Sequence, residues 1–407
     1  MDKIQEMKNL RFVIVDEVSM MPADMLYNMN LRLQEVKEND KLFGGVMLIC
    51  FGDLMQIRPV KQRWVFEAPA MGGEDLVTAH ELDPLWEKFE VVNLEENHRQ
   101  GEDKGYADML LRARVGELSK EDEKVLQSRV RSEDHEDYVN ADLYIECTNA
   151  EVAEMNKMFL KKVEGESITM TAAHYKLDQK NFKPTINKQT GEIGKTGFRH
   201  ELELKIDCKV MLISNLDIGD GLVNGQMGIL RGVERGPGGE VETLMVKFNM
   251  ESAGQKWRSR NPGLASRYPG CTGIKRVLHQ YSLKKNQAKT MQLKQFPIVL
   301  AHAVTAHKMQ GQTVQKPLKV SINVAECFDE AQGYVMLSRV QSLDQVVIRE
   351  SQKLKKDMEI RKKNELEGAD WKKYLRTSAK AGPELKKMNQ RSLNANPDPH
   401  AWMCKDV

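Results

Sequence analysis

The chain has 407 residues, of which 41% are hydrophobic and 29% charged, so it can bury a large core and should form more than one domain. Its net charge of +2 is nearly balanced and indicates no class of partner. The six cysteines form no C-x-x-C pair, which argues against a zinc site and a disulfide framework.

The run from Phe12 to Val15 is apolar and unbroken, and Asp16 and Glu17 follow it directly. Such a run predicts a strand buried on both faces of a parallel α/β sheet. Ligands of these sheets bind beyond the carboxyl ends of the strands, where the two acids fall. In a nucleotide-hydrolysing site the first acid can hold Mg²⁺, and the second can orient or deprotonate the attacking water. Alone, the pattern also fits a strand that ends in solvated acids.

The residues up to 204 continue the α/β pattern. An amphipathic helix begins near Pro22 and carries Met25, Met29 and Leu33 on one face. The predicted elements that follow are a buried strand at 46–51 that ends at Gly52-Asp53, a short apolar segment at 91–94, a helix at 106–128, a strand at 143–145 and a helix at 150–161.

Residues 205–250 predict a small β-barrel module, because short apolar runs alternate with tight-turn signals. Asn224-Gly225 is one such signal, and Gly236-Pro237-Gly238-Gly239 lies between two strand-like runs and predicts a hairpin. The α/β pattern returns at 298–349. The tail at 351–407 begins as a Lys/Glu-rich helix, and its polar end is expected to be disordered.

Residues 251–294 contain ten Lys/Arg and one acid, with three aromatic residues interleaved. Basic groups that follow phosphates and aromatic faces that stack on bases are typical of single-strand binding. The candidates for nucleic-acid contact are Lys256, Trp257, Arg258 and Arg260. The alternative is a solvated basic surface whose aromatic side chains pack into the β module.

Five short motifs occur in a fixed order: Asp16-Glu17-Val18-Ser19-Met20, Gly52-Asp53-Leu54-Met55-Gln56, Arg99-Gln100, His307-Lys308-Met309-Gln310-Gly311-Gln312-Thr313 and Tyr334-Val335-Met336-Leu337-Ser338-Arg339. In order and spacing they resemble motifs II to VI of superfamily I DNA helicases. The closest resemblance is to the PIF (petite integration frequency) family, relatives of RecD, and it covers about residues 8–350.

The resemblance implies an α/β fold with two RecA-like P-loop NTPase domains, ATP and Mg²⁺ between them, and an SH3-like β-barrel inserted in the second. It also implies 5′-to-3′ translocation on single-stranded DNA and unwinding at duplex junctions. The expected domains are a partial first RecA-like domain at 1–94, the first part of the second at 95–204, the barrel with its basic segment at 205–294, the rest of the second domain at 295–350, and the tail at 351–407.

The resemblance also assigns roles to residues. Asp16 would bind Mg²⁺, Glu17 would be the catalytic base and Gln56 would sense the γ-phosphate. Arg99 and Arg339 would be arginine fingers that neutralise charge in phosphoryl transfer. The remaining assignments come from the motif that begins at His307. Lys308 and Gly311 would contact the nucleotide, and His307, Gln310 and Thr313 would couple it to the DNA.

The first motif of the family, the phosphate loop G-x-x-x-x-G-K-[ST], is absent. The segment Gly191–Thr196 resembles the end of this loop. However, Gln189 stands where the first glycine is needed, and no buried strand precedes the segment. We therefore expect a fragment of a longer helicase or a degenerate copy, with weak ATP binding and negligible hydrolysis. Arg58 stands where the family usually has proline, so the loop after Gln56 is expected to be less rigid.

Two rival hypotheses remain open: a non-catalytic nucleic-acid-binding remnant of a helicase, and an RNA-directed helicase of the same superfamily. The resemblance associates the chain with DNA repair, recombination and telomere maintenance. No stretch approaches the ~20 apolar residues of a membrane span, and the N-terminus has no signal-peptide core. We expect an intracellular protein, in the nucleus or alternatively in the mitochondrion, and the sequence indicates no oligomeric state.

Overall fold

The computed structural model describes residues 3–69, 84–94, 96–176, 186–282, 290–364 and 366–395. Its helices are α1 (Lys3–Lys8), α2 (Ala23–Lys37), α3 (Lys104–Val115), α4 (Lys120–Gln127), α5 (Glu136–Val139), α6 (Asn149–Lys162), α7 (Gln255–Arg260), α8 (Pro262–Arg267), α9 (Ala306–Met309), α10 (Gln332–Leu337), α11 (Gln352–Lys363), α12 (Trp371–Tyr374) and α13 (Ala381–Ala395). Short 3₁₀ helices cover Val18–Met20, Leu42–Gly45, Leu85–Lys88, Ile218–Asp220, Val324–Glu326 and Leu343–Gln345.

The strands are β1 (Phe12–Val15), β2 (Met47–Cys50), β3 (Val130–Arg131), β4 (Leu143–Glu146), β5 (Ile168–Thr171), β6 (Ala173–Lys176), β7 (Glu201–Leu204), β8 (Lys209–Leu212), β9 (Met227–Arg235), β10 (Val241–Phe248), β11 (Thr272–Lys275), β12 (Val277–Ser282), β13 (Thr290–Gln295), β14 (Ile298–Leu300), β15 (Ala303–Thr305), β16 (Val320–Ile322) and β17 (Val346–Arg349). The chain forms two compact units, residues 1–140 with 309–407 (the outer unit) and residues 141–308 (the inner unit). The five domain ranges inferred from the sequence stay predictions.

In the outer unit, β1 and β2 pair in parallel, with Phe12 opposite Met47 and Val15 opposite Cys50. One face of this pair lies on a core that includes Leu26, Trp64 and Trp86. A second parallel group is formed by β16, β17 and β3. The turns that follow β1 and β2 carry the motifs that begin at Asp16 and Gly52.

The prediction that the first strand is buried on both faces is wrong. Phe12 and Ile14 are 56% and 58% exposed, and Met47 and Ile49 beside them are 65% and 37% exposed. Successive side chains of a strand point to opposite faces, so only Val13 and Val15 reach the core. Among the described residues nothing covers the other face.

Two helix predictions also need correction. In α2, Leu33 is buried and Met29 packs against the same core, as predicted, but Met25 is 55% exposed and Leu26 is buried in its place. The helix predicted over 106–128 is two helices, α3 and α4. Gly116 separates them with a φ of 77°, a conformation that a glycine adopts without strain at a helix end.

More of the C-terminal segment is folded than the sequence indicated. The solvated helix predicted at its start is α11, but α12 and α13 follow it and bury Trp371, Tyr374, Ala381 and Met388. Ala381 and Met388 belong to the same core as Leu26. The polar end at 396–407, predicted to be disordered, lies outside the described residues.

In the inner unit, β4 and β15 pair in parallel, and α6 packs on them with a capping box between Thr148 and Glu151. A five-stranded antiparallel sheet in the order β11-β10-β9-β8-β14 follows. The predicted hairpin is confirmed as β9–β10. The sheet is open, and the described residues form no closed barrel.

Smaller sheets complete the inner unit. β12, β13 and β6 form an antiparallel sheet, and β5 pairs with β7. Within the described ranges of both units, no helix is long and apolar enough to span a bilayer.

Candidate functional site

The turn after β1 carries two carboxylates in a strained backbone. Glu17 has a φ of 50° and a ψ of 48°, the left-handed region that a residue with a Cβ adopts at a cost of about 1 kcal/mol or more. Its backbone N–H donates to Asp16 Oδ1 over 2.8 Å. Asp16 is exposed and Glu17 is half-buried. The strain therefore lies at the residue predicted to be the base, as is common at functional sites.

The loop after β2 lies directly beside this turn. Val18 N donates to Phe51 O over 2.9 Å, and a Cβ added at Gly52 would come within 2.8 Å of Val18 N. Only glycine permits that approach. The loop then turns so that Gln56 N donates to Asp53 O over 2.9 Å, and Gln56 Oε1 is buried with no hydrogen-bond partner among the described residues. An unsatisfied amide oxygen is free to contact a ligand.

The turn after α9 packs against Glu17 from a distant part of the chain. Gln310 Nε2 donates to Glu17 Oε2 over 2.9 Å and to Ser19 Oγ over 3.0 Å. Gly311 has a φ of 76°, and a Cβ there would lie 3.0 Å from Glu17 Oε1. The structure thus brings the motif that begins at Asp16 and the motif that begins at His307 into direct contact.

Arg99 hydrogen-bonds to the motif that begins at His307 and to the motif that begins at Tyr334. Its Nε donates to Thr313 Oγ1 over 2.8 Å, and its Nη1 donates to Ser338 O over 3.0 Å. Burial lowers the pKa of Arg99, and the nearby acidic groups Tyr334 and Glu17 oppose this shift. Arg99 therefore contributes positive charge on the side of the site that faces Glu17.

Arg339 is more deeply buried than an arginine finger in an open cleft would be. It is 1% exposed, its Nε donates to Val335 O over 2.8 Å and its Nη2 to Ser338 Oγ over 2.6 Å. Burial, reinforced by the charge of Arg99, lowers its pKa to about 10. No carboxylate hydrogen-bonds to it within the described ranges. An uncompensated buried cation favours an incoming anion, but the guanidinium must leave these acceptors to reach one.

Sequence reasoning missed the partner of Asp53. Arg114, on α3, donates from Nε to Asp53 Oδ2 over 3.0 Å and from Nη2 to Asp53 Oδ1 over 2.6 Å, a bidentate ion pair. Tyr334 lies next to this pair, and burial raises the pKa of the Tyr334 hydroxyl to about 12. Nothing in the sequence marks Arg114, because the pairing depends on how α3 packs.

Gln100 and Tyr106 hold the turn around Arg339. Gln100 Nε2 donates to Val340 O over 2.6 Å, and Tyr106 Oη donates to Leu337 O over 2.7 Å. Both side chains are buried. Their role is to fix the backbone that presents Ser338 and Arg339.

His307 and Lys308 lie in the inner unit, on α9. Surrounding protein and the charge of Arg199 lower the pKa of Lys308, while Glu192 opposes the shift. The segment Gly191–Thr196, which resembles the end of a phosphate loop, lies close to Lys308 in space and forms a surface turn, as interpreted from the sequence. Ile193 is fully buried, and Thr196 Oγ1 donates to Ile193 O over 2.7 Å, so that hydroxyl serves the turn itself.

The four candidates in the basic segment divide into two pairs. Lys256 and Arg260 are exposed on α7. Arg258 instead donates to Ala253 O over 2.7 Å and to Glu251 O over 2.6 Å. The Trp257 ring lies over β11, where a Cβ at Gly273 would come within 2.3 Å of it. DNA contact stays a prediction for all four, and the fold already uses Arg258 and Trp257.

Family models match two parts of the chain. The model for the PIF1-like helicase matches residues 1–124, and the model for the 2B domain of DNA helicase Pif1 matches residues 196–232. In both parts the chain is similar to PIF1-like helicases. The first match contains Asp16, Glu17, Gln56 and Arg99, and the second lies in the inner unit that carries the antiparallel sheet.

The curated proteins to which the chain is similar are longer than it is. The chain is 26% identical over 343 residues to the human ATP-dependent DNA helicase PIF1, which covers 82% of the chain and 45% of the relative. It is 26% identical over 372 residues to Pif1 of Psychrobacter, which covers 84% of the chain and 53% of the relative. The chain therefore spans about half the length of the curated relatives it matches.

Solved structures of Pif1 helicases share the fold. The Candida albicans protein gives a TM-score of 0.66 at 21% identity, covering 95% of this chain and 78% of that one. The Bacteroides protein bound to single-stranded DNA gives 0.60 at 23% identity, covering 85% and 72%. The predicted α/β fold with two RecA-like domains is thereby confirmed.

Proposed function

We propose that the chain is the motor region of an ATP-dependent DNA helicase, which couples ATP hydrolysis to 5′-to-3′ movement along single-stranded DNA and to duplex unwinding. The observation that carries the proposal is the contact between Glu17 and Gln310, because it ties the catalytic-base candidate to the turn that also carries Gly311 and Thr313. Relatives in the family are named ATP-dependent DNA helicases. One similar Bacteroides structure holds ADP-AlF3 and single-stranded DNA.

The contacts of Glu17 indicate how a change in the bound nucleotide would be transmitted to Arg99 and Arg339. Glu17, fixed by the Gln310 amide, is placed to orient or deprotonate a water molecule. Gln310 leads along the chain to Thr313, whose hydroxyl accepts from Arg99. Arg99 in turn reaches Ser338, next to Arg339. Movement of Glu17 toward a reacting phosphate would therefore shift both arginines through short, continuous contacts.

Asp16 fits the role of Mg²⁺ ligand. Its carboxylate is exposed, and its Oδ1 accepts a hydrogen bond from Glu17 N. Among the described residues no group of three His, Cys, Asp or Glu could hold a metal, yet Mg²⁺ in nucleotide sites needs only one or two carboxylates. Bound with ATP, the ion would neutralise phosphate charge, and Asp16 would hold it next to Glu17.

Single-stranded DNA is the proposed track, and forks and other duplex junctions are the proposed substrates. Lys256 and Arg260 are exposed cations suited to phosphate contact. Their binding should weaken steeply as salt rises, since each phosphate contact releases a counterion.

A catalytically inactive, DNA-binding remnant is the second candidate. One observation favours it: the Nε and Nη2 donors of Arg339 are engaged with Val335 O and Ser338 Oγ. Both candidates predict DNA binding, so only nucleotide turnover separates them.

The test measures single-strand binding by fluorescence anisotropy over a salt series, and ATP hydrolysis with and without DNA. In place of the negligible hydrolysis expected from the sequence, the motor proposal requires slow, DNA-stimulated turnover that falls at least about 100-fold in Glu17→Gln, as loss of a general base does, with DNA affinity unchanged. Glu117→Gln, the same change at an exposed acid, is the control. Turnover absent from the wild type would favour the remnant, and absence of single-strand binding would refute both candidates.

A further inference from the structure

Arg58 lies two residues after Gln56 in the loop that follows β2. Its neighbours anchor the backbone there, since Ile57 is 0% exposed and Pro59 is buried. Arg58 itself points outward, with 44% of its side chain exposed. Because the residues on both sides are buried, a contact made by the Arg58 side chain constrains the position of the whole loop.

Asp329 receives this side chain. Arg58 Nε donates to Asp329 Oδ1 over 3.0 Å and to Oδ2 over 3.3 Å, and the Asp329 side chain is only 15% exposed. The two residues are 271 positions apart in the chain. The ion pair therefore joins the Gln56 loop to the segment that leads into α10 and Arg339.

The Asp329 carboxylate is oriented before Arg58 reaches it. Its Oδ1 accepts from Glu330 N over 3.0 Å, and its backbone N–H donates to Oε1 of the fully buried Gln332 over 3.1 Å. Most surface ion pairs contribute little because two mobile side chains must be ordered. Here one partner is already ordered, which reduces that entropic cost.

The C-terminal segment fixes the same region from its other side. Ala331 N donates to Arg376 O over 2.8 Å, and Arg376 Nη2 donates to Cys327 O over 3.0 Å. These two hydrogen bonds fix the backbone of segment 327–331, which carries the Asp329 partner of Arg58. A displacement of α10 would act on the Gln56 loop through this ion pair.

We propose that Arg58 and Asp329 are positioning residues whose ion pair holds the Gln56 loop against the segment leading into Arg339. The inference rests on the proposed function for the roles of Gln56 and Arg339. Arg58 also stands where the family usually has proline, so a tertiary contact here replaces the local stiffness of a fixed φ. The expectation of a looser loop is replaced by that of a tethered one.

The test is hydrogen–deuterium exchange of the purified chain, followed at single amides. The reporters are Met55 N and Gln56 N, bonded to Asp53, and Ala331 N, bonded to Arg376 O. Asp329→Asn should raise exchange at the first two by about two- to five-fold, the range that a partly exposed ion pair allows. Arg58→Gln should raise exchange at Ala331 to the same extent.

The charge-swapped double variant Arg58→Glu with Asp329→Arg should return exchange at all three amides toward wild type. Amides of β2 should not change, because the core is untouched. A matched control is the ion pair of Arg267 with Glu234 in the inner unit, at 2.9 Å, whose removal by Arg267→Gln should leave the reporters unchanged. Unchanged exchange in both single variants, or no recovery in the swap, would overturn the proposal. A wild type that fails to bind single-stranded DNA would contradict the proposed function and leave this readout intact.

Discussion

Replacing Met388 with alanine tests the docking of α13, the element furthest from expectation. Met388 is 5% exposed in the core that contains Leu26 and Trp64, and Trp86 Nε1 donates to its sulfur over 2.9 Å. Truncating a buried methionine costs about 2–5 kcal/mol, through lost burial and the cavity left behind. Loss of a weak acceptor for the indole N–H adds up to about 1 kcal/mol.

We therefore expect Met388→Ala to lower the free energy of unfolding of the outer unit by about 3 kcal/mol. For a unit of this size that corresponds to a Tm lower by roughly 6–12 °C. The assay is urea and thermal unfolding followed by tryptophan fluorescence, because Trp64 and Trp86 lie in the affected core.

The matched control is Lys386→Ala on the exposed side of α13, which should change stability by no more than about 0.5 kcal/mol. A loss below 1 kcal/mol for Met388→Ala would refute the reasoning, since it would mean that α13 does not pack on the core that supports Glu17.

Three further outcomes follow from buried contacts of the outer unit. Tyr106→Phe removes the bond to Leu337 O and should cost about 1–2 kcal/mol, measured by urea unfolding; no loss would contradict the role given to that hydroxyl. Gly333→Ala should destabilise by about 1–3 kcal/mol, because its Cβ would lie 2.8 Å from Tyr374 O, whereas Gly382→Ala, with no atom within 4 Å, should be neutral or stabilising. The Arg112 guanidinium lowers the pKa of Asp122 to about 2, below its ordinary 3.8, so this stabilisation is present above pH 3.8 and is lost as the pH falls toward 2. Asp122→Asn should flatten that part of the pH–stability curve, and an unaltered curve would count against the pair.

The sequence predicted the ends of β1 and β2 and the family motifs correctly because both signals are local. An apolar run specifies a strand, and a strand in such a sheet ends where its polar residues begin. Contacts between motifs, such as Gln310 with Glu17, were not predicted, because they depend on how distant parts of the chain pack. Arg114 had neither a local pattern nor a family motif, and its pairing with Asp53 appeared only with the packing of α3.

Burial was harder to predict than secondary structure. The run at Phe12–Val15 reads as a two-sided strand, but the number of layers on a sheet depends on elements that the run does not encode. Arg339 was expected to be an arginine finger, and it is buried because Val335, Ser338 and the turn after α9 supply acceptors that no motif specifies. α13 was missed for a similar reason, since its core contacts are made with residues about 300 positions away.

The uncovered side of the β1–β2 pair has a practical consequence for measurement. Phe12, Ile14, Met47 and Ile49 present adjoining apolar surface to water in the native state. Reporter dyes such as ANS fluoresce on contact with surface of this kind, a signal normally attributed to partly unfolded protein. A dye-based thermal shift assay on this chain would start from a bright baseline and underreport its melting, whereas intrinsic fluorescence would not.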